Sequence, residues 1–150
     1  MSKRIEFLDL DDLVDLARRL LGDPPPIRDI GLLGSAAARP QTTAFGEDAY
    51  PDLLTKVAAL LQSIVNNHAL VDGNKRLGWL ATAVFLELNG IKASQASNDE
   101  VYELVIWTAS SNPDLEDITT RLQRIVQTRH RPPACDYGGI RDSITVQKST

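Results

Sequence analysis

The chain contains one cysteine, Cys135, in 150 residues, which excludes an internal disulfide. That cysteine lies in a Pro/Gly-rich stretch with no Cys or His around it at metal-ligand spacing. A plain free thiol is the reading, not a nucleophile or a zinc ligand. Aromatic residues make up only 5% of the chain. The core must therefore be built from Leu, Val, Ile and Ala, which suits packed helices. Basic residues are not in excess: 16 stand against 20 acidic ones, for a net charge of -4. This lacks the footprint of a general nucleic-acid binder, and no direct nucleic-acid partner is expected. The basic cluster of Arg121, Arg124, Arg129, His130 and Arg131 reads as the polar face of a last helix running into a tail. "MSKRIEFLDLDD" has two basic residues but no apolar segment behind them, and no run is long enough to cross a bilayer. The expectation is a cytoplasmic protein with no membrane partner.

The chain is 43% hydrophobic and 24% charged, enough to bury the core of a single domain. "LDLDDLVDLARRLLG" carries Leu10, Leu13, Val14, Ala17, Leu20 and Leu21 at helical spacing, with Asp9 as N-cap and Gly22 as stop. "DPPP" forces a loop. "RDIGLLGSAAA" reads as a short helix despite its two glycines. "ARPQTTAFGEDAYP" has no helical period and suggests an extended excursion or small hairpin. "PDLLTKVAALLQSIVNNH" is a central helix with a wide apolar face, and Pro51 is placed in its first turn. "NKRLGWLATAVFLELNG" is apolar around most of its circumference and closes on Asn89-Gly90. "SNDEVYELVIWTASS" starts with a capping-box spacing, Ser97 to Glu100. "PDLEDITTRLQRIVQ" has acids first and arginines later, matching the helix dipole. The fold class is all-α, a bundle of about six helices with a hairpin-like flap before the central pair. Residues 1–127 form the domain and residues 128–150 a polar tail or extension.

Between the two most apolar helices stands "HALVDGNKR", His68 to Arg76. One helix ends near Asn67, a turn contains Gly73, and the next helix begins near Asn74. The first N–H groups of that helix lack intrahelical partners and carry the positive end of the dipole, so they can cradle an anion such as phosphate. Gly73 permits close backbone approach. Lys75 and Arg76 add positive charge, and Arg76 can hold phosphate oxygens in a bidentate way. Two cations beside a positive pole are locally unfavourable, which hints that something anionic belongs there. Asp72, a lone carboxylate beside phosphates, suits a magnesium ion that shares phosphate ligands. His68 could take a proton from an attacking hydroxyl. Each residue singly has a plainer reading as a cap, a turn or a surface charge. Jointly they suggest phosphoryl or nucleotidyl transfer.

"HALVDGNKR" resembles the pattern H-x-F-x-D-[AG]-N-K-R of the Doc (death on curing) branch of the Fic fold. The likeness extends to "RDIGLLGSAAARPQTTAFGEDAYPDL", "AALLQSIVNNH" and "ATAVFLELNG", and covers roughly residues 3 to 126. Doc proteins are toxins of toxin–antitoxin pairs, and the type member moves the terminal phosphate of ATP to a threonine of elongation factor Tu. The resemblance implies His68 as the base, Asp72 as the Mg2+ holder, and Gly73, Asn74, Lys75 and Arg76 as the residues that hold the ATP phosphates. The segment around Arg39 to Glu47 would be a flap that pairs with the target peptide. Lys75 stands where the wider Fic motif has a second glycine. Its bulk and charge favour a different nucleotide orientation, and hence phosphate rather than AMP transfer. Leu70 departs from the pattern's Phe and implies some slack in the loop's anchorage. Many Fic relatives carry an inhibitory helix with [ST]-x-x-x-E-[GN]. The nearest match here, Thr43 to Glu47, falls in the flap and reads as coincidence, so a separate antitoxin partner is expected. Two alternatives stay open, a Fic-type adenylyltransferase and a catalytically silent partner-binding module.

Overall fold

The computed structural model describes residues 4–130. Cys135, Arg131 and the rest of the expected tail lie outside them. The order is α1 (Leu10–Leu21), α2 (Ile30–Ala38), a 3-10 turn (Arg39–Gln41), β1 (Thr43–Ala44), β2 (Glu47–Asp48), α3 (Leu53–Asn67), α4 (Asn74–Leu88), α5 (Asn98–Ser111) and α6 (Leu115–His130). The molecule is all-α, with one two-stranded antiparallel hairpin between α2 and α3.

Local chemistry sets the boundaries. Asp9 caps α1 in a reciprocal capping box with Asp12, and Gly22 ends it at φ 112°. Ser97 and Glu100 form the expected box on α5. Asp29 caps α2 by accepting from the Leu32 N–H at 3.2 Å. Two boundaries differ from the sequence reading. Asp52, with extended backbone, is the N-cap of α3, so Pro51 stands before the helix and not in its first turn. The Tyr50 carbonyl is held by the Lys56 ammonium, which keeps the incoming chain extended up to the cap. α6 continues to His130, past the helix end expected at Gln127.

α3 is the hub, packed against α2, α4, α5 and α6. Val57, Ala58, Ala59, Leu60, Leu61, Ile64 and Val65 are all buried on it. α4 lies close against it because Gly78 has no side chain. A Cβ built there would stand 2.7 Å from Val65 Cγ2. Thr43 pairs with Asp48 and Ala44 with Glu47. The two-residue turn between them, Phe45 and Gly46, has positive φ at both positions (55° and 80°), the I′ geometry that matches strand twist. Thr43 and Glu47 thus sit on a hairpin and not on a helix.

Candidate active site

α3 ends at Asn67, and His68 turns the chain in the left-handed region (φ 57°, ψ 42°). That position is usually glycine, so a histidine here is held by something. Arg28 supplies the hold. Its Nε donates to the His68 carbonyl oxygen at 3.1 Å, and Nη2 donates to the same oxygen. The backbone N–H groups of Arg28 and Asp29 both donate to the Ala69 carbonyl, at 2.8 and 3.0 Å. Val71 N–H donates to the Pro26 carbonyl at 2.8 Å. Ile27 and Leu70 form a single antiparallel bridge. The segment after the triple proline is therefore a rail to which the loop after α3 is lashed. Sequence reading gave Arg28 no role. Its only trace was membership of the Doc-like segment "RDIGLLG".

Leu70 is 2% exposed and so anchors the loop in the core although it is smaller than Phe. Slack is limited, because both of its backbone groups are bonded. Asn74 Oδ1 accepts from the Leu70 N–H at 3.0 Å, and Asn74 Nδ2 donates to the Leu70 carbonyl at 3.1 Å. The side chain of Asn74, expected to hold phosphate, is engaged by the loop. What it leaves to an anion is its backbone N–H at the start of α4.

Gly73 has φ 91° and ψ 11°. A Cβ there would meet both Cδ atoms of Leu21 at 2.8 Å, so close packing on α1 and the positive φ both call for glycine. α4 begins at Asn74 with no side-chain cap and no acidic residue in its first turn. Its positive pole faces the loop without a built-in anion. His68, Asp72, Lys75 and Arg76 are all exposed. Among the described residues, no hydrogen bond or ion pair engages any of these four side chains. An uncapped helix terminus, two unpartnered cations, one carboxylate and one imidazole share a single junction. Among the described residues no group of three or more His, Cys, Asp or Glu could hold a metal. Asp72 alone fits a hard cation such as Mg2+ only if phosphate oxygens and water complete the shell.

From Lys75 and Arg76 a cleft of about 390 Å³ runs between α4 and α5, lined by Trp79, Leu80, Val101 and Tyr102. It continues past Trp79, Ala83 and Val101 into a second hollow of about 510 Å³ that ends near Leu88 and Ala93. Tyr102 and Leu88 are well exposed for their size.

The model of the Fic/DOC family matches residues 7–86. The chain belongs to the Fic/DOC family. The match runs from Phe7 into α4 and so includes the hairpin, α3 and the whole junction loop. A curated relative, the Toxin Doc of Mycolicibacterium smegmatis, is 45% identical over 118 residues. That stretch covers 78% of this chain and 91% of the relative. The Fic/DOC fold here is the helical frame that joins the C-terminus of α3 to the N-terminus of α4 and exposes the polar loop between them. Among the described residues, no helix is long and apolar enough to cross a membrane.

Proposed function

We propose that this chain is the toxin of a toxin–antitoxin pair. It transfers the terminal phosphate of ATP, with Mg2+, to a Thr or Ser hydroxyl of a translation factor, by analogy elongation factor Tu, and acts in the cytoplasm. The observation that carries this reading is the junction of α3 and α4. An uncapped helix N-terminus flanked by Lys75 and Arg76 adjoins an exposed carboxylate and an exposed histidine, none of them engaged within the fold. The toxin assignment draws on the likeness to the mycobacterial Toxin Doc.

Each group then has a role. The N–H groups of Asn74, Lys75 and Arg76 hold phosphate oxygens along the helix axis, and the two side chains neutralise charge on the transferring group. Asp72 would hold the Mg2+, whose contribution is to neutralise the phosphate oxygens. His68 takes the proton of the acceptor hydroxyl as its oxygen bonds to the terminal phosphorus. The bond from that phosphorus to the bridging oxygen breaks, and ADP leaves with the electron pair. The free edges of the hairpin offer strand-like pairing to the segment that bears the hydroxyl. The cleft between α4 and α5 suits the antitoxin. Its lining is mostly apolar, and its cationic lip at Lys75 and Arg76 complements an acidic residue on an antitoxin helix.

The test is transfer of label from terminally labelled ATP to the purified translation factor, with the product weighed by mass spectrometry. A gain of one phosphate group per acceptor is expected, abolished in His68→Ala. A gain of AMP instead would make the enzyme an adenylyltransferase. Growth arrest that survives in a His68→Ala strain would sink the enzymatic reading and leave a partner-binding module.

A further inference from the structure

Lys56 is 2% exposed, and it is the ionisable side chain in the buried set of the described residues. It lies on α3, whose apolar positions would leave it facing solvent. The hairpin covers it instead. Its Nζ donates to Asp48 Oδ2 on β2 at 3.1 Å and also to the Tyr50 carbonyl oxygen. Arg39, in the 3-10 turn that leads into the hairpin, adds a second tie. Its Nε donates to the Tyr50 hydroxyl at 3.0 Å, and Nη1 donates to the Ala59 carbonyl at 3.2 Å and to Ser63 Oγ at 3.0 Å. The Arg39 guanidinium also sits 5.4 Å from the Tyr50 ring centroid. The attachment points Lys56, Ala59 and Ser63 follow one ridge of α3, the same helix that delivers His68.

The hairpin is not held by burial. All four strand residues are exposed. Phe45 at its tip is fully exposed as well. What fastens it is directional and polar. An apolar side chain at position 56 would bury more cheaply than an ammonium, but it would not fix an angle. The helical rise separates Lys56 from His68 by about 18 Å of rigid α3, so the tie at one end sets the hairpin edge relative to the imidazole at the other.

We propose that Lys56 is a positioning residue. Its bonds to Asp48 and Tyr50 fix the angle at which the hairpin presents its free edge, and so govern engagement of the protein target and not the transfer step. This rests on the transferase reading above, in which the hairpin receives the target.

Two variants of the full chain test it, Lys56→Met and Asp48→Ala. The KM for the protein target rises about tenfold in each. The kcat and the KM for ATP stay within about twofold of the unmodified chain. The double variant is no worse than Lys56→Met alone, because Lys56→Met already removes the bond that Asp48→Ala removes. Amide hydrogen exchange over residues 43–50 quickens in both variants with no substrate present. That readout needs no activity, so it stands even if the unmodified chain transfers nothing to any protein. Asp48 is exposed, so Asp48→Ala keeps the test alive if Lys56→Met does not fold. Unchanged exchange in a folded variant overturns the proposal. So does faster exchange with an unchanged target KM, or a fall in kcat that is the same for every substrate.

Discussion

The guanidinium of Arg28 closes on the carbonyl oxygen of His68, with Nε at 3.1 Å, across the gap between two loops far apart in sequence. His68 occupies a backbone region that costs an L-residue about 1–2 kcal/mol, and its imidazole has no partner among the described residues. The backbone thus sets where the imidazole departs from the loop, and Arg28 holds that backbone. Arg28→Met should lower stability by about 1.5–3 kcal/mol in urea unfolding, the scale of a hydrogen bond from a charged donor. It should also slow transfer. Arg28→Lys should recover only part of both, since an ammonium lacks the planar fork. Transfer at the unmodified rate in Arg28→Met would show that the loop holds His68 without it.

Chemistry and backbone strain pull in opposite directions at position 68. Glycine adopts the left-handed conformation freely. His68→Gly should therefore gain about 1 kcal/mol of stability while losing transfer altogether. A chemical melt read beside a transfer assay separates the two effects. Loss of stability in that variant would mean that the imidazole makes a packing contribution in solution.

Asn74 accepts from one backbone group of Leu70 and donates to the other, a pairing that only a carboxamide completes. Asn74→Ala leaves both groups without that partner in a half-buried loop and should cost about 1–3 kcal/mol. Asn74→Asp keeps the acceptor but sets an anionic oxygen against the Leu70 carbonyl. It should be less stable at neutral pH than Asn74→Ala although it is the closer isostere. The order of the two urea midpoints decides this, and the reverse order would place the side chain elsewhere.

The parts of this fold that were readable from the chain are those in which cause and effect sit within a turn or two. Asp9 and Ser97 cap the helices they were expected to cap. The apolar period of α3 marks its burial, and Phe45-Gly46 makes the hairpin turn. What escaped is non-local. The rail of residues 26–29 meets the loop only after α2, the hairpin and α3 have intervened. Lys56 fits the polar side of its helix until a hairpin folds over it. Asn74 was in the motif, but the direction of its side chain depends on how Leu70 is buried. Pattern identifies which residues gather at the junction. Three-dimensional packing decides which of them keep a free side chain.

That division separates Asp72 and Arg76 in a binding experiment that needs no protein target. Both side chains are exposed and unengaged at the same helix start. A ligand that binds only the folded chain raises stability by about 2.7 kcal/mol at a hundred times its dissociation constant. ATP alone should stabilise the unmodified chain, and ATP with Mg2+ should do so further. Asp72→Asn should keep the first increment and lose most of the second. Arg76→Ala should shrink both, since the cation meets phosphate with or without the metal. Thermal melts of the three proteins with no ligand, ATP, and ATP with Mg2+ report each increment. An Asp72→Asn protein that still gains the full Mg2+ increment would remove Asp72 from the metal-holding role. An unchanged response in Arg76→Ala would move the phosphates off the start of α4.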